Sequence, residues 1–244
     1  MTILGAAPPA LAGLAALVIL AAALHRLGGQ GFGTVVAPFA ALLAPDIVPA
    51  TVLLLGAVVT ALGAGFDVRG VRYAEIGWAA AGRFAGTIPA VAVVGAVAGS
   101  PLLGPSVALM ILLGVGLSLA GITLRKTRGT LLGAGMLSGF LGTLTSVGAA
   151  PMGLIYQNEA AKAARGTLNL FFLLGVLLSI GGLATAGLVT REHLLLALLL
   201  SPFVLIGFRL SGPLARRTEA LPLKPAALGL ATLGALLLIG KSLI

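Results

Sequence analysis

The chain has 244 residues, 59% of them hydrophobic and 9% charged, with 15 Lys+Arg against 6 Asp+Glu, two histidines and no cysteine. Soluble globular domains carry about 25% charged residues, so this composition and a mean hydropathy of +1.17 exclude one and specify a polytopic membrane protein. The basic excess, pI near 11.4, would suggest nucleic acid in a soluble protein; here it sets orientation across a bilayer, and the missing cysteines exclude disulfides, thiolate chemistry and Cys-based metal sites.

A helix crossing the hydrocarbon core needs roughly 20 apolar residues, with a range of about 17 to 25. In chain order the apolar runs are 10–27, a short one at 35–44, then 48–66, 74–98 and 105–124. A basic loop at 124–130 leads to 131–141, a second short run at 150–156, then 164–189, 194–210 and 225–243. The first run lacks a basic n-region before it and is longer than a signal-peptide core, so it is read as part of the mature fold.

Two interruptions organise these runs. The first, LHRLGGQGFGTVVAP at 24–38, sets a histidine and an arginine against a glycine-rich break. Backbone leaves a helix at membrane depth only where its freed N–H and C=O groups face protein or a water-filled cavity, so the stretch is read as a cavity lining. The second, SGFLGTLTSVGAAP at 138–151, repeats the pattern with threonine and serine. Pro38 falls on Pro151 at an offset of 113, as Gly29 falls on Gly142, Asp46 on Glu159, Pro89 on Pro202 and Gly99 on Gly212. One membrane domain over 1–244 is expected, with repeats at about 9–124 and 130–243.

The basic residues decide how the short runs lie. If each broken pair crossed the bilayer, Arg216, Arg217 and Lys224 would lie outside with Lys162, against the positive-inside tendency. If each pair is a re-entrant hairpin, the second half is inverted. Arg69, Arg72, Arg125, Lys126, Arg128, Lys162, Arg165, Arg209, Arg216, Arg217 and Lys224 then gather on the cytoplasmic side. Arg191 and Lys241 stay outside, and Arg26 and Arg83 lie at membrane depth. The predicted fold is therefore an all-α polytopic membrane protein of two inverted repeats, each a re-entrant helical hairpin plus three transmembrane helices. In that design the substrate sits at the repeat interface near the midplane. Gly86 and Gly175, taken singly, read as small residues that let helices pack closely.

These motifs resemble those of the TauE/SafE family of sulfite and organosulfur anion exporters, in which each half opens on a glycine-rich motif ending in proline. The first copy is GGQGFGTVVAP at 28–38, followed by PATVLLLG at 49–56; the second is GFLGTLTSVGAAP at 139–151, followed by AARGTLNL at 163–170. Gln30 and Phe32, and in the second copy Thr143, Thr145 and Ser146, stand among the family's usual adjacent glycines. The resemblance implies transport of sulfite or a small organosulfonate.

Among the candidate site residues Arg83 comes first, because a charge at membrane depth costs at least ~2.5 kcal/mol and faces a cavity or a partner. Glu75 or a bound anion could supply that partner. Arg26, at the end of the first arm, either binds an anion at the hairpin tip or sits at a bilayer interface, and His25 beside it could couple transport to protons. Gln30, Thr143, Thr145 and Ser146 offer neutral donors at the breaks, unless the hydroxyls bond back to their own helix carbonyls. Helix N-termini restarting near Thr34 and Val147 would aim free N–H groups at the same volume. Asn169 is a further candidate, Arg165 reads as a topology charge and His193 as a solvated loop residue. Pro89 and Pro202 kink equivalent helices and could act as hinges.

Paired carboxylates, a metal cluster, a Ser/His/Asp arrangement and a P-loop are all missing from the polar positions. No enzyme and no cofactor is expected, and transport would be secondary or passive. The expected function is a secondary transporter of small anions in the cell inner (plasma) membrane, alternating access around the two hairpin tips. The rivals are an anion channel-like pore and a non-transporting membrane accessory subunit. Expected partners are the small anion and the lipid bilayer, without nucleic acid, and a homodimer is left open.

Overall fold

The computed structural model describes residues 8–66, 70–100, 102–120, 122–159, 161–217 and 223–242. Arg69 lies outside them, and so do the side chains of Lys162, Arg216, Arg217 and Lys224. In the first half the helices are α1 (Pro8–Gly28), α2 (Phe32–Leu43), α3 (Ala50–Phe66), α4 (Tyr73–Val97) and α5 (Leu103–Leu119). In the second half they are α6 (Arg128–Thr145), α7 (Ala149–Tyr156), α8 (Ala161–Thr185), α9 (Arg191–Leu210), α10 (Gly212–Arg217) and α11 (Leu223–Ser242). No strand occurs among the described residues.

Local chemistry explains where the runs end. The basic loop stops at Thr127, whose side chain accepts from the Thr130 N–H while Thr130 accepts from the Thr127 N–H, so α6 starts three residues before the apolar run. Thr190 and His193 make the same reciprocal cap on α9. His193 is thereby a first-turn helix residue, with Nε2 2.8 Å from the Asp46 carbonyl, and not the solvated loop residue expected from sequence.

In each broken pair, contacts tie the end of the second helix to residues near the start of the first. At the base of the α6–α7 pair, Gln157 Nε2 donates to the Ile122 carbonyl at 2.7 Å and Leu124 N–H to the Leu154 carbonyl at 3.0 Å. Arg72, just before α4, bonds Glu159 at 2.5 Å, and Lys126 pairs with both Glu159 and Glu75. Burial holds Lys126 below its usual value against the pull of Glu75. In the first pair, a Cβ on Gly13 would lie 3.9 Å from Leu43 Cδ1, so α2 ends beside the start of α1. Lys241 donates to the Leu42 carbonyl at that same end, where His193 also meets Asp46.

The two halves interlock with matching partners. α4 packs on α6 as α9 does on α1, α4 on α8 as α9 on α3, and α2 on α11 as α7 on α5, while α3 meets α8 and α5 meets α11. The α4–α6 contact is backbone to backbone: a Cβ on Gly82 would lie 1.9 Å from the Leu132 oxygen, and one on Gly135 2.0 Å from the Ala79 oxygen. Gly86 and Gly139 repeat this one turn further on, as small residues four apart do in membranes.

Helices spanning 9–28, 73–97, 164–185 and 191–214 are long and apolar enough to cross a membrane. The first of these includes the run expected as a hairpin arm, and α1 at 21 residues is itself of crossing length. Large apolar side chains coat the outside, among them Phe84, Ile88, Leu109, Leu198 and Leu210, each more than half exposed. Water would not tolerate such a coat; lipid does.

Candidate functional site

The two breaks meet in the interior. Gly31 ends the first with φ 107 and Ser146 turns the second with φ 63, a left-handed conformation rare outside glycine. Their approach is so close that a Cβ on Gly33 would lie 1.8 Å from the Ser146 carbonyl oxygen. Between them is a cavity of about 50 Å³, lined by His25, Gln30, residues 31–34, Thr60, Ser146 and Gly148 among others. That is room for one or two waters or a small ion. α2 and α7 both begin at its wall, so the first-turn N–H groups that have no partner within a helix start there.

Arg83 lies behind Gly148. Its side chain is 2% exposed, in the middle of α4, and an added Cβ would come within 3.0 Å of Nη2 at Gly142, 3.1 Å of Nη1 at Gly148 and 1.7 Å of Nε at Gly175. Two helices and the second break thus omit side chains to admit one guanidinium. Nη1 donates to Ser138 Oγ at 2.7 Å, and Ser138 in turn donates to the Gly148 carbonyl. Phe171 lies under it at 5.4 Å. Nε is buried without a hydrogen-bond partner. No carboxylate among the described residues pairs with Arg83: Glu75, the candidate from sequence, is held instead by Arg72, Lys126 and the Tyr156 hydroxyl.

Of the other residues singled out from sequence, His25, Gln30 and Ser146 line the cavity. Asn169 meets His25 at 2.9 Å, in space that Gly63 leaves open, and so stands behind the wall, against His25. Arg26 points elsewhere, its guanidinium 4.6 Å from the Phe66 ring and 4.2 Å from the Phe208 ring. Arg165 donates to the Arg26 and Leu27 carbonyls, bracing the first break from outside. Thr145 donates to its own helix carbonyl at Leu141 and caps the Val147 N–H. Thr143 joins Ser179 and Thr87 in a hydroxyl cluster one turn beyond Arg83. Pro89 and Pro202 lie inside α4 and α9.

Sequence reading did not single out Ser138, Gly148 or Thr60. Ser138 opens the second motif, four residues before Gly142, which was the available signal. No curated protein and no solved structure compared with the chain matches it. The family model described as sulfite exporter TauE/SafE matches residues 14–238, nearly the whole chain, and the chain therefore belongs to that family of membrane anion exporters.

Proposed function

We propose that this protein is a secondary transporter that exports sulfite or a small organosulfonate across the plasma membrane by alternating access around two re-entrant hairpins of inverted repeats. The observation that carries the reading is Arg83, a buried cation with no carboxylate partner among the described residues, beside a cavity between two broken helices. A unit charge about 5 Å from an anion, at an effective dielectric of about 20, is worth roughly 3 kcal/mol. Arg83 attracts the anion, and the first-turn N–H groups of α2 and α7 fix its oxygens, the dipole ends of both helices adding to the positive potential.

Three features support the architecture. Gln157 beside Ile122 and Leu43 beside Gly13 are the contacts that a re-entrant path for each broken pair requires. The basic residues 72, 126 and 128 lie together at one end with Glu159, and Asp46, His193 and Lys241 at the other. The halves exchange partners consistently, which is what an interface around a two-fold axis requires. The decisive experiment is flux of sulfite, sulfoacetate, sulfate and chloride in proteoliposomes, comparing wild type with Arg83→Gln. Saturable flux lost in a folded variant supports the reading; unchanged flux refutes it.

A further inference from the structure

We infer that the cavity selects an anion bearing its own hydrogen-bond donor, a protonated oxyanion or a hydroxy-substituted sulfonate, over a fully ionised anion of the same size. This rests on the anion-transport reading and narrows its substrate class. The reason is a mismatch in the wall. His25 is 3% exposed, and its Nε2 faces the Asn169 Oδ1 acceptor at 2.9 Å. With Nε2–H donating to that oxygen in the neutral ring, Nδ1 is left as a buried lone pair without a partner. Gln30 Oε1 is a second buried acceptor without a partner. Both side chains line the cavity.

Two of the three hydroxyls of the wall do not correct this; the third, Thr34, stands in the first turn of α2, on the side of the cavity that donates. Thr60 donates to the Gly56 carbonyl at 2.7 Å and Ser146 to the Pro49 carbonyl at 3.2 Å, so each offers the cavity a lone pair. One side of the cavity thus presents acceptors, while the starts of α2 and α7 and the Arg83 charge present the opposite character. An anion without hydrogens can satisfy only the second side. It leaves the buried atoms His25 Nδ1 and Gln30 Oε1 unpaired, which weakens its binding. An anion with an O–H turned toward His25 and Gln30, and its charged oxygens toward the amides, matches both.

A matched pair of probes tests this: hydroxymethanesulfonate and ethanesulfonate share one charge and nearly one size, and differ by O–H against CH3. In competition with sulfite uptake by proteoliposomes, the hydroxy compound is expected to bind about 5- to 100-fold more tightly to the wild-type protein, the range that one matched hydrogen bond at a buried acceptor gives. In the His25→Leu and Gln30→Leu variants the ratio should fall toward one. Equal competition by the two probes in wild type, or tighter binding of ethanesulfonate, overturns the inference while leaving anion transport standing. Absence of any sulfite uptake by wild type removes both. The wild-type comparison needs no variant to fold.

Discussion

Replacing Arg83 by glutamine separates a transport role from a structural one by the sign and size of the stability change. The substitution removes the bond from Nη1 to Ser138 Oγ at 2.7 Å, and a hydrogen bond to a charged group is worth about 1.5–3 kcal/mol. It also removes a buried charge that costs at least ~2.5 kcal/mol at membrane depth. Ser138 keeps its own bond to the Gly148 carbonyl, so no new orphan is created there. The two effects nearly cancel, and the unfolding midpoint should move by a few degrees at most, since about 1 kcal/mol corresponds to roughly 2–4 °C at this chain length. Breaking a buried ion pair would instead cost about 3–5 kcal/mol. Thermal unfolding followed through the one tryptophan, Trp78, measures this directly, with and without sulfite. Wild type should be stabilised by about 2.7 kcal/mol at a hundredfold excess over Kd, and Arg83→Gln should not respond at the same concentration. A loss of 3 kcal/mol or more in the ligand-free variant would show that Arg83 holds the fold together and would refute the reasoning.

Gly175→Ala puts a Cβ 1.7 Å from Arg83 Nε, with Cδ and Cζ also inside 2.5 Å; overpacking of this kind costs about 1–3 kcal/mol, and flux should fall because the guanidinium must leave its place. The double variant Gly175→Ala with Arg83→Gln should be more stable than the sum of the two single changes, and strict additivity in a double-mutant cycle would show that the two residues do not meet. Gly33→Ala meets backbone, the Ser146 carbonyl at 1.8 Å, which cannot rotate away; its destabilisation should reach the upper end of that range, and a neutral result would separate the two breaks. Because the chain has no cysteine, single cysteines report sidedness: Thr123→Cys and Asn158→Cys should label from the same face of oriented vesicles and Glu192→Cys from the opposite one. Labelling of Asn158→Cys with Glu192→Cys would mean that α7 continues across the bilayer.

How much of this was legible in the sequence depends on what each residue's surroundings reveal about it. The breaks and Arg83 stand out because a polar group in a long apolar run needs a reason within the protein. Which way each side chain turns is a matter of helical phase that spacing near a helix end leaves open. His25 and Arg26 are neighbours in sequence, about 100° apart around α1; one faces Asn169 and the cavity, the other Phe66 and Phe208. The hydroxyls were legible as polar groups, but a serine or threonine proton goes to whichever carbonyl is near, and Thr145, Ser146 and Thr60 all donate to backbone. Glycine is the deepest ambiguity. Gly86 leaves room for the backbone of α6, as packing predicts, whereas Gly175 leaves room for a guanidinium. In a sequence both are one missing Cβ; only the partner across the gap separates a residue that tightens a helix pair from one that admits a charge. In Arg83 that charge is enclosed with no carboxylate beside it among the described residues, and under the proposed function an anion in the adjoining cavity would relieve its electrostatic cost, so the residue that leaves the resting fold nearly unchanged in stability would strengthen binding when substrate arrives.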